Sequence, residues 1–234
     1  MRRKHIVSGV VLVSAGALLA ITFVGSPPGG SVRATPRHNA SALLDAERVL
    51  LERCLKSRGF PSVDHQTVRE LPRERQREFD HALNGPANAK SVSVRLATGY
   101  TVSRSTSGCR YEAQRKLYDD FARWFRVSTI VNNIPAEANK KASGDPRFAE
   151  AKTAWSSCMK HAGYSAREQL ELRAKPPSKA AKRTEVSCAR SSGLSVITER
   201  YTAQITREHR AQINEYRDLQ QAALRKAEEL HLLP

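Results

Sequence analysis

The chain has 234 residues, of which 39 are Lys or Arg and 23 are Asp or Glu, so its formal charge is +16. In a cytosolic protein such a charge would point to nucleic acid. The N-terminal sequence predicts export instead, so we expect no nucleic-acid partner and consider wall polyanions and anionic lipid headgroups.

The N-terminus predicts a segment that enters the membrane. Arg2, Arg3 and Lys4 form a basic head, and residues 6–24 then carry no charged side chain. About 20 apolar residues suffice to cross a bilayer as a helix. The pattern fits both an uncleaved anchor and a cleaved signal peptide, and these alternatives stay open for residues 1–25. We expect a single-pass membrane protein with an extracytoplasmic C-terminal part, or a secreted protein if the segment is cleaved.

The next residues predict a linker and a first helix. Residues 26–40 are rich in Pro, Gly, Ser and Arg and show no periodicity, which is typical of a flexible linker. Ser41 is a good N-cap, and apolar residues recur at helical spacing from there to about Ser57.

Two short stretches share the pattern C-x-K-x-x-G-[FY]. They run from Cys54 to Phe60 and from Cys158 to Tyr164. In each, the cysteine falls near the end of an amphipathic segment, and the glycine stands where a helix should stop. A left-handed residue commonly closes a helix, and glycine adopts that conformation without a Cβ clash.

The four cysteines predict two disulfides. Cys109 follows the first stretch and Cys188 follows the second. An even number of cysteines in an exported chain favours disulfides, because the compartment is oxidising. Four cysteines permit three pairings, and the repeat favours Cys54–Cys109 and Cys158–Cys188. We call each bridge a staple, since it would join a helix end to a later helix.

Residues 61–108 carry the weakest pattern. A short charged helix is predicted from Arg73 to Leu83, after Pro72. The stretch from Ser91 to Leu96 alternates as a strand would, but no second strand of similar quality follows it. Because an isolated strand is unstable, we expect a short helix or ordered coil there.

A long amphipathic helix is predicted from about Ser107, with an apolar stripe that continues to Ile134. Pro135 should kink or restart it. Asp145 should cap the next helix, in which Pro146 takes the favoured first position.

The C-terminal part predicts further helices. A short helical piece is expected over residues 166–174, and Ser178 can cap the helix that contains Cys188. Gly193 should interrupt that helix, and a long helix is predicted from Leu194 nearly to the end. Its apolar stripe is diluted, as in a helix that packs along part of its length or pairs with a partner.

These elements predict an all-α fold, an irregular helical bundle preceded by an N-terminal hydrophobic segment. Two stapled modules are expected, the first over residues 41–144 and the second, with the long C-terminal helix, over residues 145–234.

Three stretches also indicate a resemblance. Trp155 to Tyr164 fits W-x-x-C-M-x-x-x-G-Y, Gly108 to Ala113 fits G-C-x-x-E-A, and Glu185 to Cys188 is close to D-V-x-C. In these motifs the chain resembles a group of small exported or membrane-anchored actinobacterial proteins with cysteine-containing helices. The resemblance covers about residues 41–230, and it implies a fold and a location but no activity.

The sequence predicts no catalytic residue, cofactor or metal site. It has neither a G-x-S-x-G elbow nor a Gly-rich phosphate loop after a strand. It also lacks C-x-x-C and closely spaced histidines, which zinc sites commonly use. We predict a non-catalytic binding or scaffold module of the cell envelope, with an envelope protein docking on the long C-terminal helix. The alternatives are a basic module that binds wall polyanions or anionic lipid, and an enzyme with an unrecognised site.

Overall fold

The computed structural model describes residues 36–60, 65–165 and 178–233. Within these ranges the chain forms nine helices and one two-stranded antiparallel sheet, which confirms the all-α class. In chain order the elements are α1 (Pro36–Ser57), α2 (His65–Glu70), α3 (Arg73–Asn84), β1 (Ser91–Arg95), β2 (Thr101–Ser105), α4 (Gly108–Leu117), α5 (Phe121–Ala142), α6 (Pro146–His161), α7 (Lys179–Ser191), α8 (Leu194–Glu208) and α9 (Arg210–Glu229).

Helix α5 packs against both the hairpin and the C-terminal helices. It contacts α8, α9 and β1, while α1 packs against α4 and α9. Ile134 and Ala138 of α5 bury Ile205 of α8, so helices from the two predicted modules contact each other across residue 144. The buried residues form several separate clusters, which explains why the bundle is irregular.

The two predicted helix ends have the same local structure. Gly59 has a φ of 82° and Gly163 a φ of 90°, both in the left-handed region. The Phe60 amide donates to the Leu55 carbonyl at 2.9 Å, and the Tyr164 amide donates to the Met159 carbonyl at 3.0 Å. This bond closes the last turn of a helix, as the repeated pattern predicts.

The cap before α6 is also as predicted. The Arg147 amide donates to Asp145 Oδ1 at 3.0 Å, and Pro146 occupies the first turn. The Asp145 side chain is buried and also forms ion pairs with Arg147 at 3.1 Å and Arg200 of α8 at 2.5 Å. Hydrogen bonds from the side chain and backbone of Arg147, with attraction to both guanidinium groups, hold the pKa of Asp145 well below its usual range.

Replacing Asp145 with Asn should therefore destabilise the fold in a pH-dependent way. Asn can still cap α6, but it carries no charge for Arg147 and Arg200. Because the pKa of Asp145 is lower in the folded chain, its stabilisation is present above the unfolded value of 3.8 and is lost as the pH falls below it. The difference in urea midpoint between the native chain and Asp145→Asn should narrow below about pH 4. A difference that stays constant into acid would contradict this account.

The sheet corrects one prediction. β1 pairs with β2, with Ser91 opposite Ser105 and Val94 opposite Val102, so the expectation of a short helix or coil is wrong. The hairpin covers Phe121 and Phe125 of α5.

The sequence pattern does not reveal β2, because one of the inward-facing positions of this strand is not apolar. Arg104 lies there, with its guanidinium carbon 5.7 Å from the centre of the Phe125 ring. A cation over an aromatic face is stabilised by the ring's quadrupole, so the position is compatible with burial although the alternation of apolar residues is lost.

The long helix predicted from Ser107 is divided in two. α4 ends at Leu117, and Asp120 caps α5 by accepting a bond from the Arg123 amide at 2.9 Å. The break lets Tyr118 stack on Trp124, with ring centres 4.3 Å apart.

Pro135 does not end α5, because the helix continues to Ala142. Ile134 and Ala138, on either side of the proline, both pack on α8. This burial offsets the lost backbone hydrogen bond. The helix therefore does not restart at Pro135, while the alternative of a kink stays a prediction.

The predicted long C-terminal helix is divided as well. Gly193 has a φ of 76° and separates α7 from α8, as expected. A second break, which we did not predict, falls at His209 between α8 and α9. His209 Nε2 lies 3.0 Å from Glu137 Oε2 on α5. The piece expected over residues 166–174 and the segment 6–24 lie outside the described residues.

Candidate anion-binding cleft

Both predicted disulfide pairings are confirmed. Cys54 is bonded to Cys109 with their Cα atoms 5.5 Å apart, and Cys158 is bonded to Cys188 with a Cα separation of 5.6 Å. In each bridge the second cysteine is buried and the first is half-buried.

The first disulfide brings the end of α1 to the start of α4. A small apolar cluster surrounds the bridge, and α3 contributes Phe79 and Ala82 to it. Phe60, which follows the end of α1, contacts Phe79 edge to face, with ring centres 5.4 Å apart. The ends of these three helices are therefore held together by one bridge and one cluster.

Two glycines allow α3 and α4 to meet closely. Gly85 ends α3 with a φ of 80°, and Gly108 begins α4 with a φ of 84°. A Cβ on Gly108 would lie 2.5 Å from the Gly85 nitrogen and 2.7 Å from the Leu83 carbonyl oxygen. No side chain fits at that distance, so glycine is required where the two helix ends cross.

An open cleft of about 490 Å³ lies over this crossing. Arg58 lines it from the end of α1, His81 from α3, and Arg115 and Lys116 from α4. A smaller hollow of about 200 Å³ adjoins it and is lined by Arg53 and Lys116. Together we call these two hollows the basic cleft.

Glu112 is the carboxylate that both hollows share. Its Oε1 accepts from Arg58 Nη2 at 2.6 Å, and its Oε2 lies 3.3 Å from Cys54 Sγ. That sulfur is disulfide-bonded and has no proton, so the second contact is a close approach and not a hydrogen bond. Glu112 thus neutralises Arg58, while the cations Arg53, Arg115 and Lys116 remain exposed.

The excess of cations gives the cleft a positive potential. Charges of one sign lining a concave surface attract small ions and polymers of the opposite sign, and added salt screens that attraction. The arrangement is therefore suited to holding an anionic group.

Hydroxyl groups line the same surface. Ser57 Oγ donates to the Cys54 carbonyl at 2.7 Å, and Thr106 Oγ1 donates to the Lys90 carbonyl at 3.0 Å. A hydroxyl that has donated its proton can still accept a hydrogen bond. Tyr111 also lines the cleft, with its ring held edge to face against Phe121 at 4.8 Å.

Among the residues that the structure describes, we consider two locations where a histidine and a carboxylate are near each other. His81 and Glu112 both line the basic cleft, where Glu112 is engaged by Arg58. The second place is the His209–Glu137 pair, which lies mostly buried between α5 and α9. The His209–Glu137 contact joins α5 to the start of α9, and we assign no reaction to either location.

The sequence reasoning missed the cationic residues of the cleft. Arg58 lies four residues after Cys54, and Glu112 lies three residues after Cys109. Once the two cysteines are paired, residues so near them are brought close together, so the disulfide pairing is the sequence signal that could have indicated this ion pair. No sequence pattern of this kind distinguishes Arg115 and Lys116 from the other cations.

In residues 36–60, 65–165 and 178–233, no group of three or more His, Cys, Asp or Glu side chains could hold a metal ion. None of the helices in the same ranges combines the length and apolar character that a membrane span requires. In comparisons with known proteins, the chain matches no family model, no curated protein and no solved structure.

Proposed function

We propose that the chain is a non-catalytic, extracytoplasmic binding module that holds anionic groups of the cell envelope in the basic cleft. The observation that carries the proposal is the set of cations from α1 and α4 around one open hollow. Of the functions considered from the sequence, this corresponds most closely to the polyanion-binding alternative.

The proposed location rests on the disulfides and on the N-terminal sequence. Disulfides persist in oxidising compartments and are rare in the cytosol, so two of them support an extracytoplasmic site. The uncharged residues 6–24 would carry the chain into or across the membrane. We propose that the module stays tethered there or is released after cleavage.

The apolar stripe of the C-terminal helices gives little support to the docking of a partner protein there. Ile197 and Ile205 of α8 are buried against α5, and Ala223 and Ala227 of α9 are buried near α1. The stripe that suggested docking of an envelope protein is thus largely covered by this chain. Docking of such a protein stays a prediction from the sequence.

A pair of charge-removing variants tests the proposal. Arg115→Ala/Lys116→Ala removes two cleft cations, while Lys182→Ala/Arg183→Ala removes a matched adjacent pair from exposed positions on α7. The probe is fluorescently labelled poly(glycerol phosphate), titrated with the full chain in neutral detergent and followed by anisotropy. If each cation contributes about 1 kcal/mol to attraction, the cleft variant should bind about thirtyfold more weakly.

The control should bind within about twofold of the native chain, because its charges lie outside the cleft. The native affinity should fall steeply with added salt, and the cleft variant should show a weaker salt dependence. Equal losses in both variants would mean that diffuse charge attracts the probe. That result, or no measurable binding by the native chain, would refute the proposed site.

A further inference from the structure

The hairpin of β1 and β2 is a sheet with free edges. In the part of the chain that the structure describes, β1 pairs with β2 and with no other strand. The backbone groups on a free edge can bond to a strand from another chain. Such strand addition is a common mode of peptide recognition, in which the backbone bonds supply affinity and the alternating side chains supply specificity.

The hydrogen bonds of the hairpin show which backbone groups of β1 point away from β2. The Thr106 amide donates to the Lys90 carbonyl at 2.8 Å, and the Leu96 amide donates to the Tyr100 carbonyl at 2.8 Å. In an antiparallel pair, bonded residues alternate with residues whose amides and carbonyls point outwards. On β1 the outward groups belong to three exposed residues, which are Ser91, Ser93 and Arg95.

The edge at β1 is better suited to an added strand than the edge at β2. An inward-pointing charge is one means by which proteins prevent edge pairing, and β2 carries Arg104 on the face that packs on Phe125. On the same face β1 carries Val92 and Val94. Helix α5 also packs more closely against β1 than against β2.

The apolar residues beneath β1 indicate the character of one face of the added strand. Val94 is buried against Phe121 and Phe125, whereas Val92 and Ile130 of α5 are only partly buried in the same cluster. Alternate side chains of an added strand would point to this face and lie beside Val92. Apolar residues are therefore favoured at these positions, because they would extend the cluster.

The opposite face of β1 indicates the charge of the partner. It presents Ser93 and Arg95, and the exposed Lys90 immediately precedes the strand. The sequence has no Asp or Glu between Asp80 and Glu112. The hairpin is thus positively charged, which disfavours pairing with the same edge of a second copy and favours acidic residues at the outward positions of a partner strand.

We propose that the free edge of β1 binds an extended peptide in which apolar and acidic residues alternate. The peptide adds a third strand and is bonded through its backbone to Ser91, Ser93 and Arg95. Its apolar side chains extend the cluster over α5, and its acidic side chains lie on the face that carries Arg95. No residue of β1 lines the basic cleft, so this proposal does not rest on the proposed function.

A proline on each edge tests the proposal. Ser93→Pro removes an amide that points away from β2, so it blocks strand addition without removing a backbone bond of the hairpin. Ser103→Pro does the same on the edge at β2, directly opposite. The Ser93 and Ser103 hydroxyls are bonded to each other at 2.8 Å, so both variants lose that bond and are matched. Thermal unfolding followed by circular dichroism checks the fold of each.

The probe is the fluorescently labelled peptide Glu-Val-Glu-Val-Glu-Val-Glu, titrated with the full chain in neutral detergent and followed by anisotropy. Ser93→Pro should bind it at least about tenfold more weakly than the native chain, and Ser103→Pro within about twofold. The peptide Glu-Glu-Val-Val-Glu-Glu-Val has the same composition without the alternation. It should also bind at least about tenfold more weakly, because its apolar side chains cannot share one face.

Reversing the charge on β1 gives a second test that keeps the backbone unchanged. Arg95→Glu should bind the peptide Lys-Val-Lys-Val-Lys-Val-Lys more tightly than the acidic probe, whereas the native chain should show the opposite preference. An unchanged preference for the acidic probe would overturn the proposal, whether or not Ser93→Pro folds.

Three other outcomes would also overturn it. One is equal affinity of folded Ser93→Pro and the native chain, and another is equal binding of the two acidic peptides. The third is a dimer of the native chain in sedimentation that Ser93→Pro abolishes, which would assign the edge to a second copy. Arg115→Ala/Lys116→Ala should bind the probe within about twofold of the native chain, and a larger loss would place the acidic peptide in the basic cleft instead.

Discussion

Replacing Gly108 with alanine should lower the melting temperature by about 10 °C. The left-handed conformation costs a residue with a Cβ about 1–2 kcal/mol, and forcing an atom into a filled space adds about 1–3 kcal/mol. A loss near 3 kcal/mol corresponds to roughly 10 °C in a chain of this size. The new Cβ would lie 2.5–2.7 Å from backbone atoms of Leu83, Asn84 and Gly85, which cannot rotate away as a side chain could.

Gly163→Ala is the matched control. Gly163 has a φ of 90°, but a Cβ placed there has no atom within 4 Å, so this variant carries the conformational cost without the clash. Both variants are compared by thermal unfolding followed by circular dichroism. Equal melting temperatures would show that α3 and α4 do not need the close approach at Gly108.

Removing the first disulfide should destabilise the chain and abolish tight binding, whereas removing the second should only destabilise it. The bridges close loops with sequence separations of 55 and 30 residues. The loop-entropy account gives each about 4 kcal/mol. Cys54→Ala/Cys109→Ala would also release the end of α1, which carries Arg58, from the start of α4, which carries Glu112.

Cys158→Ala/Cys188→Ala serves as the comparison, because that bridge joins α6 to α7 away from the basic cleft. Urea unfolding measures the loss of stability in both variants. Anisotropy with labelled poly(glycerol phosphate), at a temperature where both remain folded, measures binding. Full affinity in the first variant would show that the bridge does not organise the cleft.

The features that could be predicted from the sequence are those that a residue determines through its own backbone conformation or through a bond to a near neighbour in the chain. A glycine after an amphipathic stretch ends a helix, and Gly59 and Gly163 do so with the same backbone bond. Asp145 before Pro146 caps a helix for a similarly local reason. The repeat of such local units then made the disulfide pairing the favoured one of three.

The features that escaped prediction depend on contacts distant in sequence. β2 is a strand because Arg104 can lie over Phe125 of α5, and the local sequence does not show that ring. The breaks at Tyr118 and His209 likewise fall where side chains turn towards partners, Trp124 and Glu137. No periodic pattern records those contacts.

The basic cleft could be predicted from the sequence in part. Arg58 lies four residues after Cys54 and Glu112 three after Cys109, so the disulfide brings the two side chains within reach of each other. Lys116 and Arg115 are two of many exposed cations on helices, and the sequence gives no reason to single them out. Their proposed role depends on the position of the end of α3, which the close approach of Gly85 and Gly108 sets.

The order of the two disulfides along the chain has a consequence for how it matures. Cys54 pairs with the next cysteine, Cys109, and Cys158 pairs with the next one, Cys188, so neither loop encloses the other. In a chain whose cysteines reach an oxidising compartment in sequence order, an oxidase that joins them as they emerge would produce the native bridges. Such a chain should acquire its covalent links without needing an isomerase to correct them.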